Sequence, residues 1–212
     1  ITVAWMPAER PPAAPLAPAL ARFGLEDDGF LLFAGAVEPK KNLPRLIDAY
    51  AASGCQVPLV LVGPDGWHVE RELARMGQRL AGDARIIRLG WLPTHDLSAL
   101  MGACRAFVFP SRTEGFGLPA LEAMAAGAAV IAGDRDGLAE VVGDGGLLVN
   151  PDRTLEIAAA IARVDEDAGL RRTLRQLALR RAGQFTTERF DAAIAHALAA
   201  AGVPWDASAA AR

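Results

Sequence analysis

Two carboxylates, Glu114 and Glu122, stand eight positions apart in the stretch TEGFGLPALEAMAAG, 113–127, with two glycines and a proline between them. Such a pair serves either as two charges on one helix face or as two ligands from different elements that meet around a bound molecule. The residues in between favour the second reading. Gly115 and Gly117 weaken helix, and Pro119 disfavours a right-handed helical conformation at Leu118 while fitting the first turn of a new helix. The stretch therefore reads as a loop carrying Glu114, a turn through Gly115, Phe116 and Gly117, and a helix from about Leu118. Glu122 lies one turn into that helix.

The complementary charge sits far upstream. Lys40 and Lys41 are the only two lysines, and arginine supplies every other cationic side chain. They lie in GAVEPKKNLPRL, 35–46, after a strand that ends at Gly35 and before a helix expected to be capped by Asn42 with Pro44 in its first turn. An ammonium there and the free backbone N–H groups of a helix start near 116–118 together suit a diphosphate. The alternative is a solvated lysine pair on a surface loop. Two carboxylates beside a diphosphate would repel it, so each must address hydroxyls. Glu122 is placed like the acidic residue that takes ribose hydroxyls in dinucleotide sites, and Glu114 can reach a sugar beyond the phosphates. The plainer alternative is a capping carboxylate and a surface helix residue.

These groups need a scaffold that brings loops at 35–46 and 113–118 to one edge. Short apolar runs at 30–35, 58–63, 85–90, 105–110, 128–133 and 146–150 read as buried strands. Helical periodicity lies between them at 43–53, 67–82, 95–103, 118–126 and 137–142. Strands apolar throughout and separated by helices indicate an α/β fold with a doubly wound parallel sheet, Rossmann-like, whose ligands bind beyond the carboxyl ends of the strands. Four of the six runs end in glycine, at Gly35, Gly63, Gly90 and Gly133. That edge is bare of side chains, for close approach by a ligand or for tight turns. After Asn150 the pattern is helical only, at 153–165, 167–183 and 187–201. The expected organisation is a Pro-rich linker over 1–20, a Rossmann-like domain over 21–185, and a C-terminal helix and tail over 186–212.

With 212 residues, 52 % apolar and 22 % charged, the chain can build a sizeable core. A formal net charge of −3 gives no electrostatic reason to expect nucleic acid. No apolar run approaches the roughly 20 residues of a membrane span. Cys55 and Cys104 form no C-x-x-C motif and read as reduced structural thiols in a cytoplasmic protein. The chain begins with Ile and has no basic-then-apolar leader, so we expect the true N-terminus to lie upstream. Asp134-Arg135-Asp136 has the form of an Asp-x-Asp metal motif but, directly after the 128–133 strand, reads as a decoy, and the scattered His68, His95 and His196 lack ligand spacing.

The run EGFGLPALEAMAAGAAVIAG resembles the Glu-x7-Glu signature of family-4 retaining glycosyltransferases (glycosyl transferases group 1). Their GT-B fold joins two Rossmann-like domains across a cleft. LLFAGAVEPKKNLPRLIDAY is similar to that family's glycine-to-lysine loop and helix, RLGWLPTHDLSALMGACRAFVFPSRTEGFGLP to its base-binding loop and the strand before the signature, and GLAEVVGDGGLLVNP to the segment after it. The likeness runs from about Phe30 to Phe190.

By position, the resemblance makes Lys41 the donor-diphosphate lysine and Glu114 the glutamate on the transferred sugar, both catalytic. Glu122 becomes the ribose ligand. Phe116, Gly117 and Leu118 form the turn whose amides meet phosphate and sugar. Gly35 and Ala36 open the phosphate loop, and Trp91 and Leu92 border the base. Many members carry Arg directly after the first glycine, where this chain has Ala36, so the second cation is expected from Lys40, Arg112 or another domain.

The resemblance implies a nucleotide diphosphate sugar as donor, with a slight lean to GDP-mannose from EPKKN and GPDGW, an acceptor it does not identify, and no metal or cofactor. It implies an acceptor-binding N-terminal domain preceding Ile1, so that this half alone binds donor without turnover. The apolar face of the last helix would turn toward that domain or pair with another copy, and the full-length protein could sit peripherally at the inner membrane. A non-catalytic nucleotide-sugar sensor is the alternative that Ala36 keeps open. A GT-B sugar-nucleotide epimerase is disfavoured by the pairing of EGFGLP with EPKKN.

Overall fold

The computed structural model describes residues 4–8, 13–67 and 69–203. His68, parts of the Pro-rich stretch at 1–3 and 9–12, and the tail from 204 lie outside the described residues.

Six strands, β1 Leu31–Ala34, β2 Leu59–Val62, β3 Ile86–Gly90, β4 Ala106–Phe109, β5 Val130–Gly133 and β6 Leu147–Val149, form one parallel sheet in the order β3-β2-β1-β4-β5-β6. This is the doubly wound order expected from the apolar runs. The four inner strands are buried along their whole length, which is why they read as unbroken apolar sequence. The edge strands β3 and β6 are only partly covered.

Helices α2 Leu43–Ser53, α3 Val69–Gly82, α4 Thr94–Ala103, α5 Leu118–Ala125 and α6 Asp136–Val142 connect the strands, and α7 Thr154–Glu166, α8 Ala168–Ala182 and α9 Thr187–Ala200 follow β6. Crossovers to the two sides of β1 place helices on both faces. Accordingly α2 packs on α3 and α7, and α5 on α4, α6 and α8. Among the described residues, Tyr50, Phe30, Phe33, Phe107, Phe109 and Phe185 are the largest wholly buried side chains. Cys55 and Cys104 are free and buried, and burial pushes their thiols up to about 11 and about 12.

Three local features differ from the sequence reading. Within the expected linker, helix α1 (Leu16–Phe23) begins at Leu16, buries Ala19 and Leu20, and ties to α4 through Arg22 and Asp96 at 2.9 Å. Pro15 and Pro18 do not prevent this, because a helix start and its first turn need no N–H there. Asn42 does precede α2, but its side chain makes no cap. Its backbone is left-handed (φ 63°), and its amide reaches across the fold to the carbonyls of Pro110 (3.1 Å) and Pro151 (2.7 Å). Two of the strand-end glycines are required by neighbouring backbone. A Cβ at Gly63 would lie 2.1 Å from the Gly35 carbonyl oxygen, and one at Gly133 would lie 2.4 Å from that of Ser111.

Candidate functional site

In a sheet of this order the connections leaving β1 and β4 run in opposite directions, and the crevice between them is where ligands bind. The loop after β1 carries Lys41 and the loop after β4 carries Glu114. Their backbones are joined by the Arg112 N–H donating to the Lys40 carbonyl at 2.8 Å, and Asn42 clamps the same loop at Pro110. The Lys41 Nζ meets Glu114 Oε1 at 2.6 Å, and both side chains are 9 % exposed. The ammonium also lies 4.7 Å from the centroid of the Phe109 ring, and its Cε approaches the open side of Gly35. A buried ammonium is therefore held between one carboxylate and an aromatic face, an arrangement that an incoming anion can enter by exchanging for the carboxylate.

Directly after Glu114 the chain makes its turn. Gly117 (φ 99°) precedes α5, with Pro119 in the first turn as the sequence implied. The Gly117 carbonyl accepts from Ala120 (3.0 Å) and Leu121 (3.2 Å). Among the described residues no hydrogen bond takes up the N–H of Phe116, Gly117 or Leu118. Orphan donors at a helix start, with the positive end of the helix dipole, favour an anion. The turn rests on α6: a Cβ at Gly137 would lie 2.3 Å from the Gly115 carbonyl oxygen, and one at Gly117 would lie 2.7 Å from Leu138 Cδ1.

Glu122 is half-buried one turn along α5, and burial raises its carboxyl pKa above the ordinary glutamate value. No hydrogen bond to its carboxylate occurs among the described residues. It lines a cleft of about 310 Å³ whose walls include Met6, Ala8, Leu118 and Phe190. An apolar trough with one unpaired carboxylate suits a ring that carries vicinal hydroxyls. Glu114 and Glu122 thus belong to different elements, loop and helix, as the glycines and proline between them implied.

The remaining candidates divide. Trp91 is 69 % exposed and edges an open cleft with Pro64, Asp65 and Arg88, whereas the Leu92 side chain is in the core. Lys40 is engaged with Glu38 at 3.6 Å. Arg112 lies 3.3 Å from Asp152, which Arg45 and Arg135 also contact. The hydrogen bond from Arg135 holds the Asp152 carboxyl below the usual range. Ala36 is half-buried beside Gly35. A larger cleft, about 560 Å³, opens between α2, α3 and the start of α7, but Lys41 and Glu114 do not line it. The sequence reading missed Phe109 beneath Lys41 and the clamp of Asn42. The only signal for the first was an aromatic at the strand end before PSRTEG.

The family described as Glycosyl transferases group 1 matches residues 21–181. The O-antigen chain mannosyltransferase B of Escherichia coli is 38 % identical over 175 residues, which is 81 % of this chain and 46 % of that protein. The alpha-maltose-1-phosphate synthase of Mycolicibacterium smegmatis is 36 % identical over 160 residues, 71 % of this chain and 40 % of its own length. The chain thus spans less than half the length of these curated relatives. Among solved structures, sucrose-phosphate synthase from Thermosynechococcus elongatus superposes with a TM-score of 0.71 at 32 % identity, covering 82 % of this chain and 45 % of that one. Anabaena HepE in complex with UDP and glucose gives a TM-score of 0.80 at 24 % identity, with 94 % and 56 % covered, a likeness of fold.

Proposed function

The chain belongs to the glycosyl transferases group 1 family, and we propose that it is the donor-binding half of a retaining glycosyltransferase that takes a sugar from a nucleotide diphosphate sugar. The observation that carries this reading is the 2.6 Å pairing of Lys41 with Glu114 at the switch point of the sheet, next to the unpaired amides of 116–118. Fold alone would not support it, since this sheet hosts many chemistries.

In this reading the diphosphate displaces Glu114 from the Lys41 ammonium and takes the turn amides as further donors. The freed Glu114 accepts hydroxyls of the transferred sugar, and Glu122 accepts those of the ribose. As the bond between the sugar and the diphosphate breaks, negative charge grows on the departing oxygen. Lys41 and the amides are already oriented there, so little reorganisation is required. The mannosyltransferases among the relatives favour a mannosyl donor and, with the slight lean of EPKKN and GPDGW, GDP-mannose. The acceptor would come from a second domain facing the crevice, onto which α9, none of whose side chains is fully buried, would present its apolar residues.

A second reading, a nucleotide-sugar sensor without turnover, is favoured by one observation. Both cations considered as substitutes for an arginine at 36 are engaged elsewhere, Lys40 with Glu38 and Arg112 with Asp152. A calorimetric panel of UDP, GDP and ADP tests the shared claim: one should bind and be weakened by Lys41→Ala, and absence of binding to all three overturns both readings. Sugar transfer or donor hydrolysis by the full-length protein then separates enzyme from sensor.

A further inference from the structure

We propose that Trp5 is a positioning residue for the phosphate-binding turn, and that residues 5–8 form a strap completing the wall of the cleft in front of Glu122. The functional half of this inference rests on the donor-site reading above; the mechanical half does not. The Trp5 ring lies 5.1 Å from that of Phe185, and its Nε1 donates to Glu140 Oε1 at 2.8 Å. The Arg181 guanidinium sits over both rings, 5.3 Å from Trp5 and 5.0 Å from Phe185. A second tie, from the Ala8 N–H to the Phe185 carbonyl at 2.7 Å, fixes the direction in which the strap leaves this cluster. Met6, Pro7 and Ala8 then line the same cleft as Glu122.

Two routes run from this anchor to the turn. Phe185 meets Phe116 edge-on at 6.1 Å, so the cluster holds the ring of the residue whose N–H is one of the free donors. Separately, Arg181 donates to the carbonyls of Glu140 (2.6 Å) and Val141 (3.0 Å) and so fixes the end of α6. The other end of α6 is the surface on which the turn rests, with Gly137 against the Gly115 carbonyl and Leu138 against Gly117. Releasing Trp5 loosens Arg181 and Phe185 together, and the turn loses support from below and from the side. Preorganised donors contribute most when they need not move to meet their charge, so loosening should cost the diphosphate more than whatever loss at the Glu122 cleft the mono- and diphosphate share.

The test compares the wild-type chain with Trp5→Ala and Trp5→Phe. Amide hydrogen exchange without ligand at Ala120 and Leu121, whose N–H groups bond to the Gly117 carbonyl, should quicken at least fivefold in Trp5→Ala, with Trp5→Phe recovering most of the protection because it keeps the stacked ring. Unchanged exchange in Trp5→Ala overturns the positioning claim. Calorimetry with the nucleoside mono- and diphosphate of the base that binds should show the diphosphate's advantage over the monophosphate falling at least fivefold in Trp5→Ala and returning in Trp5→Phe. A parallel loss of both nucleotides shows a general wall and overturns the turn-specific role. If the wild-type chain binds no nucleotide while the exchange result holds, the donor reading and the functional half of the inference fall, and the mechanical link stands.

Discussion

Replacing Glu114 by alanine should tighten the binding of a plain nucleoside diphosphate, although it removes a residue of the site. The Lys41–Glu114 pair is 2.6 Å long. At an effective dielectric near 20 that separation corresponds to an attraction of about 6 kcal/mol. Both side chains are 9 % exposed, so desolvation of the two ions takes back several kcal/mol, and the net coupling of the pair is on the order of 1–3 kcal/mol. A diphosphate must forfeit that coupling to reach Lys41. In Glu114→Ala the ammonium stays over Phe109 without its carboxylate, and affinity for the diphosphate should rise roughly tenfold, equivalent to about 1.4 kcal/mol. The sugar-bearing donor gains the same release but loses a charged hydrogen bond to its hydroxyls, worth about 1.5–3 kcal/mol, and should bind no tighter than to wild type. Isothermal calorimetry on each variant with the diphosphate and its sugar derivative reads both numbers. Weaker diphosphate binding in Glu114→Ala would refute the exchange of partners at Lys41, and so would a Lys41→Ala variant that binds as wild type does.

Glu122→Ala should weaken the nucleoside monophosphate and diphosphate alike by about 1.5–3 kcal/mol, because ribose is common to both; titrations of the two nucleotides check this. Burial raises the Glu122 pKa, so nucleotide affinity should fall on acidification at a higher pH than for an exposed glutamate, which a calorimetric pH series would show. For stability the sign is opposite. The folded state holds that proton more tightly than the unfolded chain, so this contribution is present below the unfolded pKa and fades as pH rises through the raised one; Glu122→Gln should flatten that part of the profile in denaturant titrations. Asn42→Ala removes the bonds to Pro110 and Pro151 and places alanine at φ 63°. Urea unfolding should show a loss of roughly 2–4 kcal/mol.

The fold was legible because burial on both faces writes itself into composition. Runs such as LLFA and LVLV have no polar alternation, and their inner position in the sheet is the reason. The start of α5 was legible for a local cause, Pro119 after Gly117. Features that depend on distant partners were not. Asn42 has the sequence position of a cap, yet its amide is used by carbonyls 68 and 109 residues away. The bareness of Gly63 and Gly133 answers to backbone of other loops, which no spacing reveals. Trp5 stands in a proline-rich stretch whose composition reads as linker, and its role depends on Arg181 and Phe185, far along the chain. Lys41 and Glu114 were singled out by residue type and by the rule for sheet edges, but their direct contact depends on how the two loops fold against each other.

The residue after Gly35 offers the sharpest remaining test of how this site handles charge. A diphosphate carries more negative charge than one ammonium and a helix start, equivalent to roughly half a charge, can offset. Arg112 can help only by leaving Asp152, where Arg45 and Arg135 would remain as that carboxylate's partners, so its departure strands no buried ion. If it moves, Arg112→Ala should weaken the diphosphate but spare the monophosphate. If it stays, the substitution should be silent and the site is short of one cation. Ala36→Arg distinguishes these states. Position 36 adjoins Gly35, where a Cβ would lie 3.5 Å from Lys41 Cε, and a guanidinium there adds a bidentate donor for phosphate. In a site short of charge, Ala36→Arg should tighten the diphosphate at least tenfold and steepen the dependence of its affinity on salt. In a site where Arg112 already serves, the gain should be small and should grow once Arg112 is replaced. An Ala36→Arg variant that binds the diphosphate no better in either background would show that the phosphates do not lie over the loop after β1, and the assignment of Lys41 would fall with it.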